Sequence, residues 1–175
     1  AEQLEKRNRD LKQLKENLQN AVRQRTIELK NANTKLQRLA YYDALTNIPN
    51  RRYFLEMSAA ILSLARRKRQ QLAVAMIDVD DFKKINDQYG HAAGDSSLNL
   101  LASCMKDFFR AEDIIGRLGG EEFGLAMLFD KADDVVMTLN RFRQKLAEQF
   151  SKVKPPVEGI AIQPFTISIG VCIVD

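Results

Sequence analysis

The sequence predicts an α+β fold: a mostly antiparallel sheet flanked by helices and preceded by one long helix. Three observations predict it. Residues 1 to 40 contain no Gly and no Pro and repeat leucines at helical spacing. Short apolar runs, "LAVAMIDVD" and "FTISIGVCIVD", read as buried or alternating strands, and the apolar stretches on either side of "RLGGEE" read as a hairpin. Amphipathic helical stretches separate these strands, and the order helix, strand, helices, hairpin, helix, strand gives a sheet covered by helices.

Composition narrows the class. The 175 residues are 45% hydrophobic, enough for one good core with an appendage. The net charge is +4, but residues 1 to 40 hold ten Lys+Arg against five Asp+Glu, so the basicity belongs to that segment. The near-neutral remainder is a poor electrostatic footprint for a duplex, and nucleic acid is excluded as a partner. No apolar run approaches the roughly 20 residues that cross a bilayer, so a soluble, cytoplasmic chain is expected. Cys104 and Cys172 have no metal-ligand spacing and are expected to be reduced core residues. The sequence begins at Ala1 without a methionine, as an excerpt of a longer protein would.

In the first 40 residues Leu4, Leu11 and Leu18 keep a heptad spacing, joined by Leu14. A step of four leads to Val22, after which Leu29 and Leu36 resume it, with Ala32 and Leu39 in parallel. A helix of this length reaches on the order of 60 Å, and a parallel coiled-coil dimer is the economical cover for its seam. The stutter is compatible with two registers. "YYDALTNIPNRRYF" interrupts the helix: Asp43 or Thr46 caps a new turn, and Pro49 and Asn50 punctuate. Helical periodicity then returns through Phe54, Leu55, Ile61, Leu62 and Leu64, with Arg66, Arg67, Lys68 and Arg69 complementing the helix end.

"LAVAMIDVD" is a strand that stops at Asp78. "DFKKINDQYGHAAGD" follows, broken by Gly90 and Gly94, and "SSLNLLASCMKDFFR" is an amphipathic helix. In the hairpin, Gly119 and Gly120 supply the positive φ of the turn. Residues 131 to 150 read as a helix with Val135, Val136, Leu139, Phe142 and Leu146 on its apolar face, "VKPPVEG" as a loop, and the final run as a strand.

The chemistry lies in the acids. Asp78 at a strand end and Glu121 and Glu122 at a hairpin tip meet if their strands are neighbours in the sheet. Oxygen-only ligands of this kind suit Mg²⁺ or Mn²⁺, and Mg²⁺ binds through one or two carboxylates plus substrate phosphates. That arrangement describes a nucleoside-triphosphate site.

"RLGGEEF", with "DVDDFKKINDQYGHAAGD", "DALTNIPNRRYF" and "TISIGV", resembles the GGDEF domain of diguanylate cyclases, which condense two GTP molecules into cyclic di-GMP. The resemblance runs from about Asp43 to the C-terminus, in order and at family spacing, and "GGEEF" is a regular variant. It implies a nucleotide-cyclase-like palm over residues 41–175, behind a dimerising and signalling helix over 1–40. It implies that Asp78 and Glu121 ligate Mg²⁺ or Mn²⁺ with the carbonyl of Val79. Glu122 is a further ligand or helps deprotonate the attacking 3'-hydroxyl, and the sequence leaves the catalytic role open between Glu121 and Glu122. Asn86 and Asp95 match the guanine-reading positions. Lys83 and the backbone around Asp81 and Phe82 match the triphosphate cradle. His91 and Gly94 sit in the same motif, with a structural hydrogen bond as the favoured role of His91.

"RAED" stands where the family places its RxxD product-inhibition site, which assigns Arg110 and Asp113 to cyclic di-GMP, with Arg141 adding a further arginine. The resemblance implies a homodimer with two facing GTP half-sites and a sensor upstream in a parent protein that is cytoplasmic or tethered to a membrane. Two departures stand out. Asn47 replaces a common Gly, and the sequence stops at Asp175 without the family's C-terminal helix, whose basic residues contact the triphosphate. Two rival readings are a non-catalytic receptor for cyclic di-GMP or GTP, and a dimerisation relay.

Overall fold

A computed structural model describes residues 2–68, 70–150 and 164–174. Arg69 and the expected loop at 153–159 lie outside the described residues. The chain divides into two compact units, Ala1–Ala40 and Tyr41–Asp175. In the first, α1 spans Glu2–Tyr41 and exposes Leu11, Leu18, Val22, Leu29, Leu36 and Leu39. An exposed leucine seam of this regularity leaves the helix with apolar area that a second helix would remove from water.

The second unit holds α2 (Arg51–Lys68), β1 (Gln71–Val79), α3 (Phe82–Tyr89), α4 (His91–Phe108), β2 (Ile114–Gly119), β3 (Glu122–Phe129), α5 (Ala132–Phe150) and β4 (Ile167–Val174). The sheet order is β2-β3-β1-β4 and every neighbouring pair is antiparallel. The mostly antiparallel α+β sheet expected from the sequence is therefore present.

Strand alternation divides the core. Ala73, Ala75, Ile77 and Val79 of β1 and Phe123, Leu125, Met127 and Phe129 of β3 join one cluster with the inner faces of α4 and α5. The intervening Leu72 and Ala126 belong to a second cluster with Phe54, Ile61 and Ala65 of α2. Phe54 presses its ring onto Gly124, where a Cβ would come within 2.6 Å of it, so that glycine is a packing requirement. Asn50 caps α2, its Oδ1 accepting the N–H of Tyr53 at 3.0 Å. Asp43 instead holds the preceding turn, accepting from the Thr46 N–H at 2.8 Å and its hydroxyl at 2.7 Å. Asn47 takes the left-handed conformation, φ 52°, as a residue in glycine's place there must.

Several expectations need correction. Gly94 does not break a helix; it lies buried inside α4, and only Gly90 separates α3 from α4. Val136 is 54% exposed, because the buried face of α5 is carried by Val135, Leu139, Phe142 and Leu146. Leu55 is likewise exposed on α2. Cys104 is buried but Cys172 is exposed, since β4 is an edge strand among the described residues and its second half is poorly covered.

Candidate active site

The site is built at one end of the sheet. Asp78 is the cross-strand partner of Glu122 on β3 and of Ser168 on β4. Gly119 still pairs with Glu122, so the turn itself consists of Gly120, at φ 50°, and Glu121. The sequence placed both glycines in the turn; the structure moves it one residue on and puts Glu121 at the tip. A register shift between Arg117 and Gly119 accommodates the displacement. Burial raises the carboxyl pKa of Asp78, and the neighbouring charges of Glu121, Glu122 and Asp80 push it further in the same direction. Like charges gathered this way favour a proton or a cation.

Among the described residues no three His, Cys, Asp or Glu side chains are already gathered at metal-ligating distances. The donor set nevertheless fits a hard divalent cation. It is all oxygen, and Mg²⁺ takes only one or two carboxylates when phosphates complete its shell.

The three acids of "DVDD" have separate partners. Asp80 accepts hydrogen bonds from the hydroxyls of Thr166 and Ser168. Asp81 pairs with Lys84 at 2.7 Å and adopts φ 56° at the start of α3. That leaves Asp78 as the member of the trio that faces the hairpin acids. The side chain of Asp81 does not cap α3, and the first amides of a helix lack intrahelical acceptors, so Phe82 and Lys83 present N–H groups at this point. The Lys83 side chain is exposed.

Asn86 lies on α3 and Asp95 on α4, next to Gly94 of the same helix. A Cβ on Gly94 would collide with Asn86 Oδ1 and come within 3.1 Å of Phe82 Cζ. Gly94 thus allows α3 and α4 to approach with the Asn86 amide lodged against the α4 backbone. His91 is exposed at the first position of α4. A cavity of about 790 Å³ opens beside the β1–α3 turn, lined by Asp80, Asp81, Lys84, Tyr89, Phe150 and Phe165. Of the predicted substrate residues Asp81 lines it, while Asn86 on α3 and the exposed Asp95 on α4 do not.

Arg117 is a residue that sequence reasoning missed. Its Nε and Nη2 donate to the Gly120 carbonyl at 3.0 and 2.7 Å, and its Nη1 donates to Asp43 Oδ1 at 3.0 Å. The hairpin turn is thereby tied to the 43–46 turn. An arginine two residues before a glycine pair was the available signal, but its partner lies 74 residues away.

Arg110, Asp113 and Arg141 line one cavity of about 990 Å³. Asp113 Oδ2 accepts the backbone N–H of Arg110 at 2.9 Å, and the Arg110 guanidinium approaches Glu112 at 3.9 Å. Burial raises the pKa of Asp113, more than its hydrogen bond to Arg110 lowers it.

The family model described as diguanylate cyclase, GGDEF domain, matches residues 40–175. The chain belongs to the GGDEF family. Among curated relatives, it is 35% identical over 123 residues to the diguanylate cyclase DgcP of Escherichia coli, covering 70% of this chain and 36% of that protein. It is 44% identical over 107 residues to the diguanylate cyclase TpbB of Pseudomonas aeruginosa, covering 60% and 25%. The chain thus spans about a third and a quarter of these relatives. The coiled coil and GGDEF domain of DgcB from Caulobacter crescentus, solved with c-di-GMP, shares the fold at TM-score 0.76 and 24% identity, covering 86% of this chain and 78% of that one. The separate GGDEF domain of DgcB, also in complex with c-di-GMP, aligns at TM-score 0.68 and 28% identity, covering 78% and 76%. The GGDEF domain here thus has its antiparallel sheet, flanking helices and N-terminal helix in common with that family's structures.

Proposed function

We propose that this GGDEF domain is the catalytic part of a diguanylate cyclase that condenses two GTP molecules into cyclic di-GMP across a homodimer. The observation that carries this reading is the meeting of Asp78 with Glu122 across the sheet and Glu121 at the hairpin tip. Asp78, Glu121 and the Val79 carbonyl would hold Mg²⁺ or Mn²⁺, with Glu122 as a further ligand. The bound cation supplies neutralisation of the phosphates and of the leaving pyrophosphate.

The remaining steps belong to the chain. Asn86 and Asp95 bind guanine, Lys83 and the first amides of α3 hold the triphosphate, and His91, at the first position of α4, has a structural role. In each condensation the 3'-oxygen of one GTP bonds to the α-phosphorus of the other as the α-phosphorus loses its bond to the α,β-bridging oxygen. Pyrophosphate leaves, and the hydroxyl proton passes to Glu121 or Glu122. Two such steps close the ring.

Because each domain holds one GTP, two domains must face each other. The exposed seam of α1 supports dimerisation, which raises the effective concentration of the half-sites. Cross-links at Leu18 and Leu29 that always report one packing would rule out a change of register as the switch.

The cavity of Arg110, Asp113 and Arg141 supports product inhibition: a guanidinium and a carboxylate suit guanine and phosphate, and the DgcB structure holds c-di-GMP. The parent protein would carry an upstream sensor, and no described helix is long and apolar enough to cross a membrane.

The decisive assay follows cyclic di-GMP formation from GTP and Mg²⁺, beside Asp78→Ala, which should lose on the order of 10²–10³ in rate. Product formed equally by both chains would sink the metal assignment. No turnover by the wild type, with cyclic di-GMP still bound, would favour a receptor instead.

A further inference from the structure

Asp80 stands between two groups assigned to the nucleotide site, the Val79 carbonyl and the amides that follow Asp81. It makes three hydrogen bonds to the start of β4. Its carboxylate accepts from Thr166 Oγ1 at 2.5 Å and from Ser168 Oγ at 2.6 Å, and its N–H donates to the Thr166 carbonyl at 3.0 Å. Those partners lie 86 and 88 residues away in sequence and on alternate positions of one extended segment, so both hydroxyls reach the same side. The bonds extend the β1–β4 ladder past its last pair, Val79 with Ile167.

The next residue needs that anchorage. Asp81 is not glycine yet holds φ 56°, a conformation that persists only where its surroundings over-determine it. Its exposed ion pair with Lys84 is weak support. Asp80 adds three hydrogen bonds, one of them between backbones, and so fixes the residue from which the turn departs.

We infer that Asp80 is a positioning residue of the nucleotide site and not a ligand of the cation: clamped by Thr166 and Ser168, it aims the Val79 carbonyl and the first amides of α3. The inference rests on the cyclase reading of the site. Groups that orient ligands in this way typically contribute about 10–100-fold to metal affinity or activity.

Three variants test it: Asp80→Ala, Asp80→Asn, and the pair Thr166→Val with Ser168→Ala. The readouts are Mg²⁺-dependent binding of a non-hydrolysable GTP analogue, thermal unfolding, and amide exchange at residues 79–84 without nucleotide. Asp80→Ala and the hydroxyl pair should each weaken analogue binding by about 10–100-fold and speed exchange at 81–83. Asp80→Asn should stay close to wild type, because its Oδ1 accepts from one hydroxyl while its Nδ2 donates to the other. If Asn damages binding as much as Ala while the hydroxyl pair is harmless, Asp80 is a ligand and the inference fails. It also fails if Asp80→Ala leaves exchange unchanged. A wild-type protein that binds no analogue overturns the cyclase reading itself, and the nucleotide-free exchange comparison then decides separately whether Asp80 holds the turn.

Discussion

The Arg117 guanidinium bridges Asp43, at 3.0 Å, and the carbonyl of Gly120 in the hairpin turn, at 2.7 and 3.0 Å. One side chain therefore joins the 43–46 turn to the loop that carries Glu121. Both partners are mostly covered, at 15% and 24% exposure, so the pair is worth more than a surface salt bridge. Arg117→Met should cost about 1.5–3 kcal/mol, the range for hydrogen bonds to charged groups, and should lower turnover by loosening the turn. Denaturant unfolding measures the first, and a double-mutant cycle with Asp43→Asn isolates the pair. A cycle with no coupling would show that the two groups act independently.

The same pair sets a pH dependence. Burial pushes the Asp43 carboxyl up, but the Thr46 hydroxyl, the Thr46 N–H and the Arg117 guanidinium together hold it below its ordinary value. A carboxyl with a depressed folded pKa contributes stability above its unfolded value, about 3.9, and loses it as pH falls through the lower folded value. The stability gap between wild type and Asp43→Asn should be constant near neutrality and close below about pH 4. Thermal unfolding as a function of pH checks it, and a gap that persists in acid would mean that packing, not charge, is what Asp43 supplies.

Gly94→Ala sets two effects against each other. Alanine in a helix interior gains about 1 kcal/mol over glycine. Overpacking typically costs about 1–3 kcal/mol, and here the new methyl would collide with Asn86 Oδ1 and come within 3.1 Å of Phe82 Cζ, so both side chains must shift. Overpacking wins, and the displaced amide belongs to the proposed guanine site. The expected result is a lower midpoint of unfolding and a raised KM for GTP. An unchanged KM would remove Asn86 from guanine recognition.

How far the sequence revealed this molecule depends on the reach of each contact. The continuous apolar run "LAVAMI" marks β1 as a strand but does not say which of its residues are buried: Ala75 and Ile77 are, while Met76 between them is 53% exposed. The helices show in their own periodicity, which is a local property. Gly94 was misread because glycine disfavours helices, and nothing local records that another helix needs the space. The edge position of β4, the exposure of Val136 and the partners of Arg117 and Asp80 depend on which elements become neighbours, and periodicity is silent on that. The acids of the site were found because they sit at the ends of recognisable strands. Their separation into Asp78 toward the hairpin, Asp80 toward β4 and Asp81 toward Lys84 depends on tertiary neighbours that no local pattern records.

The cysteines convert this difference in reach into a chemical one. Cys104 of α4 belongs to the main core cluster, and burial raises its thiol pKa to about 11, with Asp107 adding to the effect. The thiolate is the reactive species, so Cys104 is protected by both access and ionisation. Cys172 is exposed on β4, opposite Val74. Alkylation of the native protein near neutral pH should therefore stop at one thiol per chain, and peptide mapping should place it at Cys172. Adding denaturant should expose the second. Rapid modification of both in the native state would mean that α4 opens readily from the sheet, and because α4 carries Gly94 and Asp95, it would locate the motion beside the proposed guanine site.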